Sequence, residues 1–279
     1  MADRLRIISA ASVTLEELAA AFTAAFSGYF YPMTLTAEQL SRRVRFEHLD
    51  ILRSLLAYDD DVGELVGMAM LGVRQETGWV GGFGMTETYR GRGWARELMT
   101  ALIAEARGLA LGQLKLEVLT QNVAAIRLYE RAGMKIARDL LIFERQEDAP
   151  SPSQNVAPLK EAAPSELLQH FRRLHLKPAA WQRDLSALLV MDGLRGLYLG
   201  ARARPDAYAL LRSWPGGLTY IVDLAAAGKE EADALCAALA HVAGRLRIIN
   251  EPEGSHFCAA LASHNFVQTE RQHEMVMNL

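Results

Sequence analysis

The sequence has few cysteines, no long apolar segment and little excess charge of either sign. Only Cys236 and Cys258 are present among 279 residues, so no disulfide framework is indicated and a reducing, cytoplasmic location is expected. No apolar run approaches the ~18 residues that indicate a membrane span, so no membrane association is predicted. A formal net charge of −3 at pH 7 gives no general reason to bind nucleic acid, which usually requires a basic face.

Metal-binding and secretory motifs are also missing. The seven histidines include no His-Glu-x-x-His motif and no paired Cys/His spacing, so no metal site is predicted. Glu16 and Glu17 interrupt the apolar stretch near the N-terminus, which argues against a secretory signal. Thr14 and Glu17 instead form a Ser/Thr-x-x-Glu capping box, which predicts that a helix begins at Leu15.

The first half of the chain shows clear strand and helix periodicities, separated by turn residues. Strands are predicted at 5–9, three times between 55 and 85, and at 114–119 and 135–145. Helices are predicted at 15–26, 38–47, 94–109 and 123–131. The resulting alternation of strands and helices predicts an α/β domain with a mixed sheet.

A stretch rich in proline, serine and charge follows at 146–158 and predicts a linker. Beyond it a similar order of elements repeats with weaker signals. Helices are predicted at 165–174, 230–242 and 256–263, and strands at 196–203, 207–214, 218–224, 246–250 and 267–277. The sequence therefore predicts two domains, 1–146 and 154–279, with the linker at 147–153.

The segment YRGRGWARELM, residues 89–99, follows a predicted strand and opens a helix. Arg90, Gly93 and Ala95 form an R-x-x-G-x-A pattern in it. Glycine allows the backbone to approach an anion closely, and a helix start offers unpaired N–H groups at the positive end of its dipole. A dinucleotide-binding G-x-G-x-x-G motif fails at Arg96, and no Gly-Lys-Ser/Thr P-loop is present. The pattern predicts a site for a pyrophosphate.

A second motif, LKLEVLTQNVAAIRLYERAGM, occupies residues 114–134. Together the two segments resemble the GCN5-related N-acetyltransferase (GNAT) family, whose loop reads Q/R-x-x-G-x-G/A and whose following segment carries N…A…LYE…GF. The proline that often precedes the family's loop is absent from residues 85–89. The resemblance covers roughly the first half of the chain. It implies the acyl-CoA N-acyltransferase fold, with acetyl-CoA as co-substrate in a splayed sheet, and the weaker repeat implies two tandem GNAT-like domains.

The resemblance also implies which residues contact the cofactor. The end of the fourth strand would pair with the pantetheine arm, and the arginine- and glycine-rich helix start would hold the pyrophosphate. Asn122 would bond the arm or orient a water, and a helix cap is an equally good interpretation. The implied contacts are Phe83, Gly84, Met85, Arg90, Gly91, Arg92, Gly93, Trp94, Ala95, Arg96 and Asn122.

Two residues are predicted to take part in the chemistry. Tyr129, at the LYE position, is the candidate acid near the leaving sulfur, and its alternative is a packed helical tyrosine. Glu117 is the candidate base, and its alternatives are a solvent-facing glutamate or a base role filled by water. Tyr29, Phe30 and Tyr31 are expected to line the acceptor pocket, although an aromatic cluster is also typical of a core.

These observations predict an N-acetyltransferase in which a primary amine attacks acetyl-CoA directly in a ternary complex. The acceptor would be a small-molecule amine or a protein N-terminus, and the protein a monomer or homodimer. The alternatives are a non-catalytic acyl-CoA sensor or interaction module, and an enzyme that uses a larger acyl group. The second copy has Ala225–Glu230 in place of the arginine-rich loop and no counterpart of Tyr129, which predicts that its cofactor site is lost.

Overall fold

The computed structural model describes residues 4–150, 156–214, 217–242 and 244–279. The chain divides into two compact units, one formed by residues 1–137 with 274–279 and the other by residues 138–273. Among the helices of this described part, none is both long and apolar enough to cross a lipid bilayer. Residues 151–153 of the predicted linker lie outside the described residues.

The first unit contains a sheet with helices α1–α4. Its strands are β1 (Leu5–Ser9), β2 (Leu49–Asp59), β3 (Leu65–Arg74), β4 (Thr77–Met85) and β5 (Gln113–Leu119). Its helices are α1 (Leu15–Ala25), α2 (Ala37–Phe46), α3 (Trp94–Gly108) and α4 (Val123–Arg131). Neighbouring strands are antiparallel from β1 to β4, whereas β4 and β5 are parallel. The predicted order of elements is confirmed, and β2 begins earlier than predicted because its pairing with β3 resumes beyond an irregularity between Asp50 and Leu55.

The second unit contains most of β6 (Lys135–Arg145) and the elements that follow it. Its other strands are β7 (Lys160–Ala162), β8 (Arg195–Ala201), β9 (Arg204–Trp214), β10 (Leu218–Ala226), β11 (Arg245–Pro252) and β12 (Val267–Asn278). Its helices are α5 (Pro164–Leu168), α6 (Phe171–Leu174), α7 (Leu185–Leu188), α8 (Lys229–Leu239) and α9 (His256–Ser263). The sheet order from β6 is β6-β11-β10-β9-β8-β7, and β10 and β11 form its parallel pair.

Three features of the second unit differ from the sequence prediction. The single helix expected at 165–174 is two short helices, α5 and α6, separated by Gln169 and His170. Neither β7 nor α7 was predicted, because three or four residues carry too little periodicity to indicate an element. The unit boundary also differs from the predicted one. β6 begins in the first unit and continues into the second, and β12 begins in the second and ends in the first.

Local capping explains where the first two helices begin. Thr14 Oγ1 accepts a hydrogen bond from the Glu17 N–H at 3.2 Å, and the Glu17 carboxylate accepts one from the Thr14 N–H at 2.8 Å. The predicted capping box is therefore confirmed. Thr36 and Gln39 form the same arrangement at the start of α2. Each box satisfies N–H groups that have no partner within the helix, which stabilises the helix start by roughly 1 kcal/mol.

The parallel strands of the first unit separate before they end. Their register pairs residues 77–79 of β4 with 113–115 of β5, although β4 continues to Met85 and β5 to Leu119. A β-bulge at Gly81 accompanies this divergence, because Met70 pairs with Gly82 while Leu71 pairs with Val80. Bulges bend the strand that carries them and increase its twist. The sheet therefore opens between the ends of β4 and β5, as the splayed fold requires.

Helices pack on both faces of this sheet. Residues of α3 are buried at spacings of three to five along its length, which gives the helix one apolar face. The buried residues of α3 are Trp94, Leu98, Met99, Leu102, Ile103 and Ala106. They join a core that also contains Leu114, Leu116 and Val118 of β5. Glu117 alternates with these residues and lies on the other face of the strand.

Candidate cofactor and catalytic site

The connection between β4 and α3 forms an open cradle. Gly91 and Gly93 have φ angles of 80° and 90°, and a Cβ built on either residue would meet no atom within 4 Å. Side chains rarely adopt such angles, so glycine is required by the backbone at both positions. In the first turn of α3, the Arg96 N–H donates to the Gly93 carbonyl at 3.0 Å. The N–H groups of Trp94 and Ala95 have no acceptor within the helix and lie at the positive end of its dipole. This arrangement fits the anion that the sequence predicted.

Arg90 has a bracing role in this connection. Its Nε donates a hydrogen bond to the Met85 carbonyl at 3.1 Å, and its Nη2 donates one to the Ser27 carbonyl. The guanidinium therefore ties the end of β4 to the segment between α1 and α2. The sequence predicted that Arg90 donates to a phosphate. In the structure its side chain instead donates to two backbone carbonyls.

Arg92, Tyr89 and Trp94 form a stack beside the cradle. The Arg92 guanidinium lies 4.7 Å from the centre of the Tyr89 ring, which stacks on Trp94 with centroids 5.3 Å apart. The Tyr89 hydroxyl donates to Glu64 at 3.0 Å, and burial together with this carboxylate raises the pKa of Tyr89 to about 12. Trp94 is only 5% exposed, so a ligand could meet its backbone but not its indole. Arg96 is exposed and Ala95 half-buried.

The last residues of β4 border the opening. A Cβ built on Gly84 would lie 2.7 Å from the carbonyl oxygen of Ala25 in α1, closer than real Cβ contacts allow. The close approach of α1 therefore explains why this position is a glycine, and contact of Gly84 with a cofactor stays a prediction. Phe83, one residue earlier, makes an edge contact with Tyr129 at a centroid distance of 6.1 Å and an interplanar angle of 80°.

Tyr129 projects from α4 into this region and is 6% exposed. Burial raises its pKa well above the ordinary value, and electrostatic interaction with nearby Tyr29 acts in the same direction. Because the phenol stays protonated at neutral pH, it can act as a hydrogen-bond donor. Its ring packing also satisfies the alternative interpretation of a buried helical tyrosine, so its role in the chemistry stays a prediction.

Glu117 lies close to the point where β4 and β5 separate. Its Oε2 accepts a hydrogen bond from the indole Nε1–H of Trp79 at 2.7 Å. Nothing in the sequence near Trp79 indicates this contact, because the two residues are 38 positions apart. Asn122 caps α4 by accepting from the Ala125 N–H at 3.2 Å, which confirms the capping interpretation. Its contact with a cofactor stays a prediction.

The aromatic segment after α1 forms a chain of ring contacts centred on Tyr29. Its ring lies 5.5 Å from Phe26, 5.2 Å from Phe30 and 6.4 Å from Tyr31, in each case close to perpendicular. Phe30 is 48% exposed. The cluster is thus continuous with the packing of α1 at one end and open to solvent at the other. Within the described residues, no group of three His, Cys, Asp or Glu side chains is arranged to hold a metal ion.

In the second unit the parallel strands β10 and β11 also separate before they end, but a buried side chain lies between them. The register of β10 with β11 covers 218–221 and 245–248, although both strands continue. Arg183, 5% exposed, donates to the carbonyl of Leu224 at 3.4 Å and to that of Asn250 at 3.2 Å. The same guanidinium pairs with Asp223 at 3.3 Å and with Glu251 at 2.5 Å. One buried side chain therefore bridges the two separated strands.

The start of α8 also differs from that of α3. Only Ala227 and Gly228 connect β10 to α8, and Gly228 is extended with a φ of −164°. Glu230 and Glu231 lie in the first turn of the helix. A carboxylate there uses the positive end of the dipole that an anionic ligand would otherwise use. The short connection contains no glycine cradle like the one before α3.

Comparisons with known proteins find relatives that are N-acetyltransferases. An uncharacterized N-acetyltransferase, YycN of Bacillus subtilis strain 168, is 36% identical over 61 residues, 22% of this chain and 39% of the relative. The spermine/spermidine N(1)-acetyltransferase of the same strain is 32% identical over 87 residues, 28% of this chain and 57% of the relative. The chain thus spans less than two thirds of either relative's length.

The fold is also found in solved structures. A tandem GNAT protein from the clavulanic acid biosynthesis pathway superposes with a TM-score of 0.72 at 15% identity, covering 99% of this chain and 98% of that one. This similarity concerns the fold alone. The profile of the acetyltransferase (GNAT) family matches residues 15–134, which contain the glycine cradle, Glu117 and Tyr129. Residues 15–134, less than half of the chain, are therefore similar to the acetyltransferase (GNAT) family.

Proposed function

We propose that the protein is an acetyl-CoA-dependent N-acetyltransferase that acts on a primary amine. The observation that carries the proposal is the cradle of Gly91 and Gly93, which lies between the end of β4 and the start of α3. It offers backbone N–H groups and open space to a pyrophosphate. Beside it, β4 extends beyond its pairing with β5, which leaves strand edge for the amides of a pantetheine arm.

The residues of the first unit supply the remaining requirements. Bound acetyl-CoA supplies a thioester, whose acetyl group passes to the amine while its sulfur leaves. An alkylamine has a pKa of ~10.4, so a base or a water chain has to remove a proton before attack. Glu117 is our candidate for the base that accepts this proton. The Tyr129 hydroxyl is our candidate hydrogen-bond donor to the sulfur as negative charge develops there.

Direct transfer to the amine is supported by the distribution of nucleophiles. Both cysteines, Cys236 and Cys258, belong to the second unit, so the first unit has no thiol that could carry the acetyl group. Burial raises the pKa of Cys236 well above its ordinary value, which makes its thiolate scarce. A ternary complex of amine and acetyl-CoA on the first unit is therefore the economical arrangement.

The second unit is proposed to be a GNAT-like domain without a cofactor site. Two observations support this: Arg183 fills the gap between β10 and β11, and the β10–α8 connection is too short to form a cradle. The first observation gives a measurable consequence. Arg183→Met removes the guanidinium from the buried carboxylates of Asp223 and Glu251, so we expect the second unit to lose about 3–5 kcal/mol of stability. Asp223 keeps a further pairing, with His175 at 3.1 Å.

Urea unfolding with a probe in the second unit measures this loss. The control is Arg195→Met, which breaks an ion pair with Glu161 whose side chains are 56% and 62% exposed. Exposed pairs contribute ~0–1 kcal/mol, so the control should unfold near the wild-type midpoint. Equal midpoints for Arg183→Met and the control would show that Arg183 does not hold the strands together.

Turnover with a panel of amines tests the proposed activity. Release of the CoA thiol is followed with spermidine, spermine, an aminoglycoside, free amino acids and peptides with different N-termini. We expect amine-dependent release with at least one class, because the base, donor and cradle are built into one unit. Tight binding of acetyl-CoA without release from any amine would favour the acyl-CoA sensor, and preference for a longer acyl-CoA would favour the enzyme with a larger acyl group.

A further inference from the structure

Trp79 occupies the vertex of the opening between β4 and β5. It is the last residue of β4 that pairs with β5, its partner is Lys115, and it is 3% exposed. Its indole N–H reaches past that pair to Glu117, two residues further along β5, and donates to Oε2 at 2.7 Å. The contact therefore joins the two strands at the position where their backbone pairing has ended.

The indole is held in this orientation by the bulge. A Cβ built on Gly81 would lie 2.5 Å from Cζ3 of Trp79 and 2.6 Å from Cδ2 of Leu49, so the ring occupies the space that a side chain at 81 would need. The Gly81 carbonyl in turn accepts a hydrogen bond from Arg43 Nη2 at 2.9 Å. The bulge at Gly81, the Trp79 indole and the Glu117 carboxylate are therefore held together by direct contacts.

A fixed donor restrains a carboxylate base. It limits the directions in which the carboxylate can point, so the group spends more time in the orientation that reaches an amine. Trp79 can supply this restraint without touching the amine, because its indole N–H donates to Glu117 Oε2.

We propose that Trp79 is the positioning residue for Glu117, holding the candidate base at the vertex of the opening. The inference rests on the proposed function, since it assumes that Glu117 accepts the proton of the amine. It adds a residue of β4 to the catalytic arrangement, one that neither sequence motif contains.

Steady-state kinetics of Trp79→Phe tests the inference. The phenylalanine keeps an aromatic ring at the vertex and removes the N–H, so we expect kcat to fall about 10- to 100-fold with the KM for acetyl-CoA unchanged. Val80→Ala is the control, since Val80 is also buried in β4 but packs in the core with α3. It should lose stability while its kcat stays within about threefold of wild type.

A double-mutant cycle separates positioning from general packing. In the Glu117→Gln background the base is already lost, so Trp79→Phe should cause little further loss of kcat. An equal loss in both backgrounds would show that Trp79 acts only through packing. Wild-type activity of Glu117→Gln would overturn the positioning role while leaving the acetyltransferase function intact.

An observation without turnover completes the test. The indole N–H resonance that disappears in Trp79→Phe identifies Trp79 in the NMR spectrum of the full chain. We expect Glu117→Gln to move this resonance strongly and other indole resonances little, because the donor then faces a neutral acceptor. An unmoved resonance would overturn the proposal even if no amine in the panel were acetylated. If the resonance moves but no amine is acetylated, the contact between Trp79 and Glu117 is supported and the proposed acetyltransferase function is contradicted.

Discussion

Gly93→Glu is expected to abolish the binding of acetyl-CoA to the chain. The new side chain would project into the open cradle and place a carboxylate where the pyrophosphate would lie, so affinity should fall by roughly 100-fold or more, about 2.7 kcal/mol. Titration calorimetry on the wild type should give one acetyl-CoA per chain, because the second unit is proposed to lack a site. The same titration on Gly93→Glu should give no bound cofactor.

Two controls separate the charge from backbone strain. Gly93 has a φ of 90°, so any side chain there is strained, and Gly93→Ala measures that cost without a carboxylate. Gly63 has a φ of 74° and equally open surroundings in the turn between β2 and β3, so Gly63→Glu adds the same charge under similar strain elsewhere in the first unit. Both controls should retain most of the affinity. A second equivalent of cofactor that survives in Gly93→Glu would contradict the proposed loss of the second site.

Tyr129→Phe is expected to lower kcat by about 100-fold with little change in cofactor affinity. The phenylalanine keeps the edge contact with Phe83 and removes only the hydroxyl, whose raised pKa keeps it protonated as a donor. A donor that acts as charge develops on the leaving sulfur contributes to the transition state rather than to binding, so the loss should appear in kcat. Pre-steady-state release of the thiol would assign the loss to the chemical step.

The matched control is Tyr208→Phe, which removes a buried hydroxyl that donates to Asp223 in the second unit at 3.0 Å. Stability should decrease by about 1–3 kcal/mol, because a buried acceptor loses one of its donors. The kcat should stay close to that of the wild type. If Tyr129→Phe also keeps kcat within about threefold, Tyr129 returns to the packing role that its burial alone would explain.

Much of the first unit is encoded by local patterns. The capping box at Thr14, the strand at 5–9 and the helix at 123–131 follow from neighbouring residues, and the structure has each of them. The glycine cradle is local in the same sense, because Gly91 and Gly93 adopt positive φ angles that few other residues tolerate. Strands and helices of the second half, such as β9, β10 and α8, were also predicted from their local apolar periods.

Contacts between distant residues were decided only by the tertiary structure. The residues adjacent to Arg90 in the sequence do not indicate its hydrogen bonds to the Met85 and Ser27 carbonyls. The residues adjacent to Trp79 do not indicate its hydrogen bond to Glu117. Arg183 belongs to a stretch without clear periodicity, yet it bridges two strands more than 40 residues further along the chain. Hydrophobic periods report which face of an element is buried, whereas a polar contact depends on which strands become neighbours.

The exchange of strand ends between the units has the same origin. From the sequence alone, short apolar runs at 140–143 and 275–277 predict strands at 135–145 and 267–277, and the structure has β6 and β12 there. Chain order then suggested that each closes its own half. The structure instead divides each strand between the two units. A strand's own residues specify its extended conformation, but its partner is chosen by the complementary edge and the apolar surface that pairing buries, and both exist only once the rest of the sheet has formed.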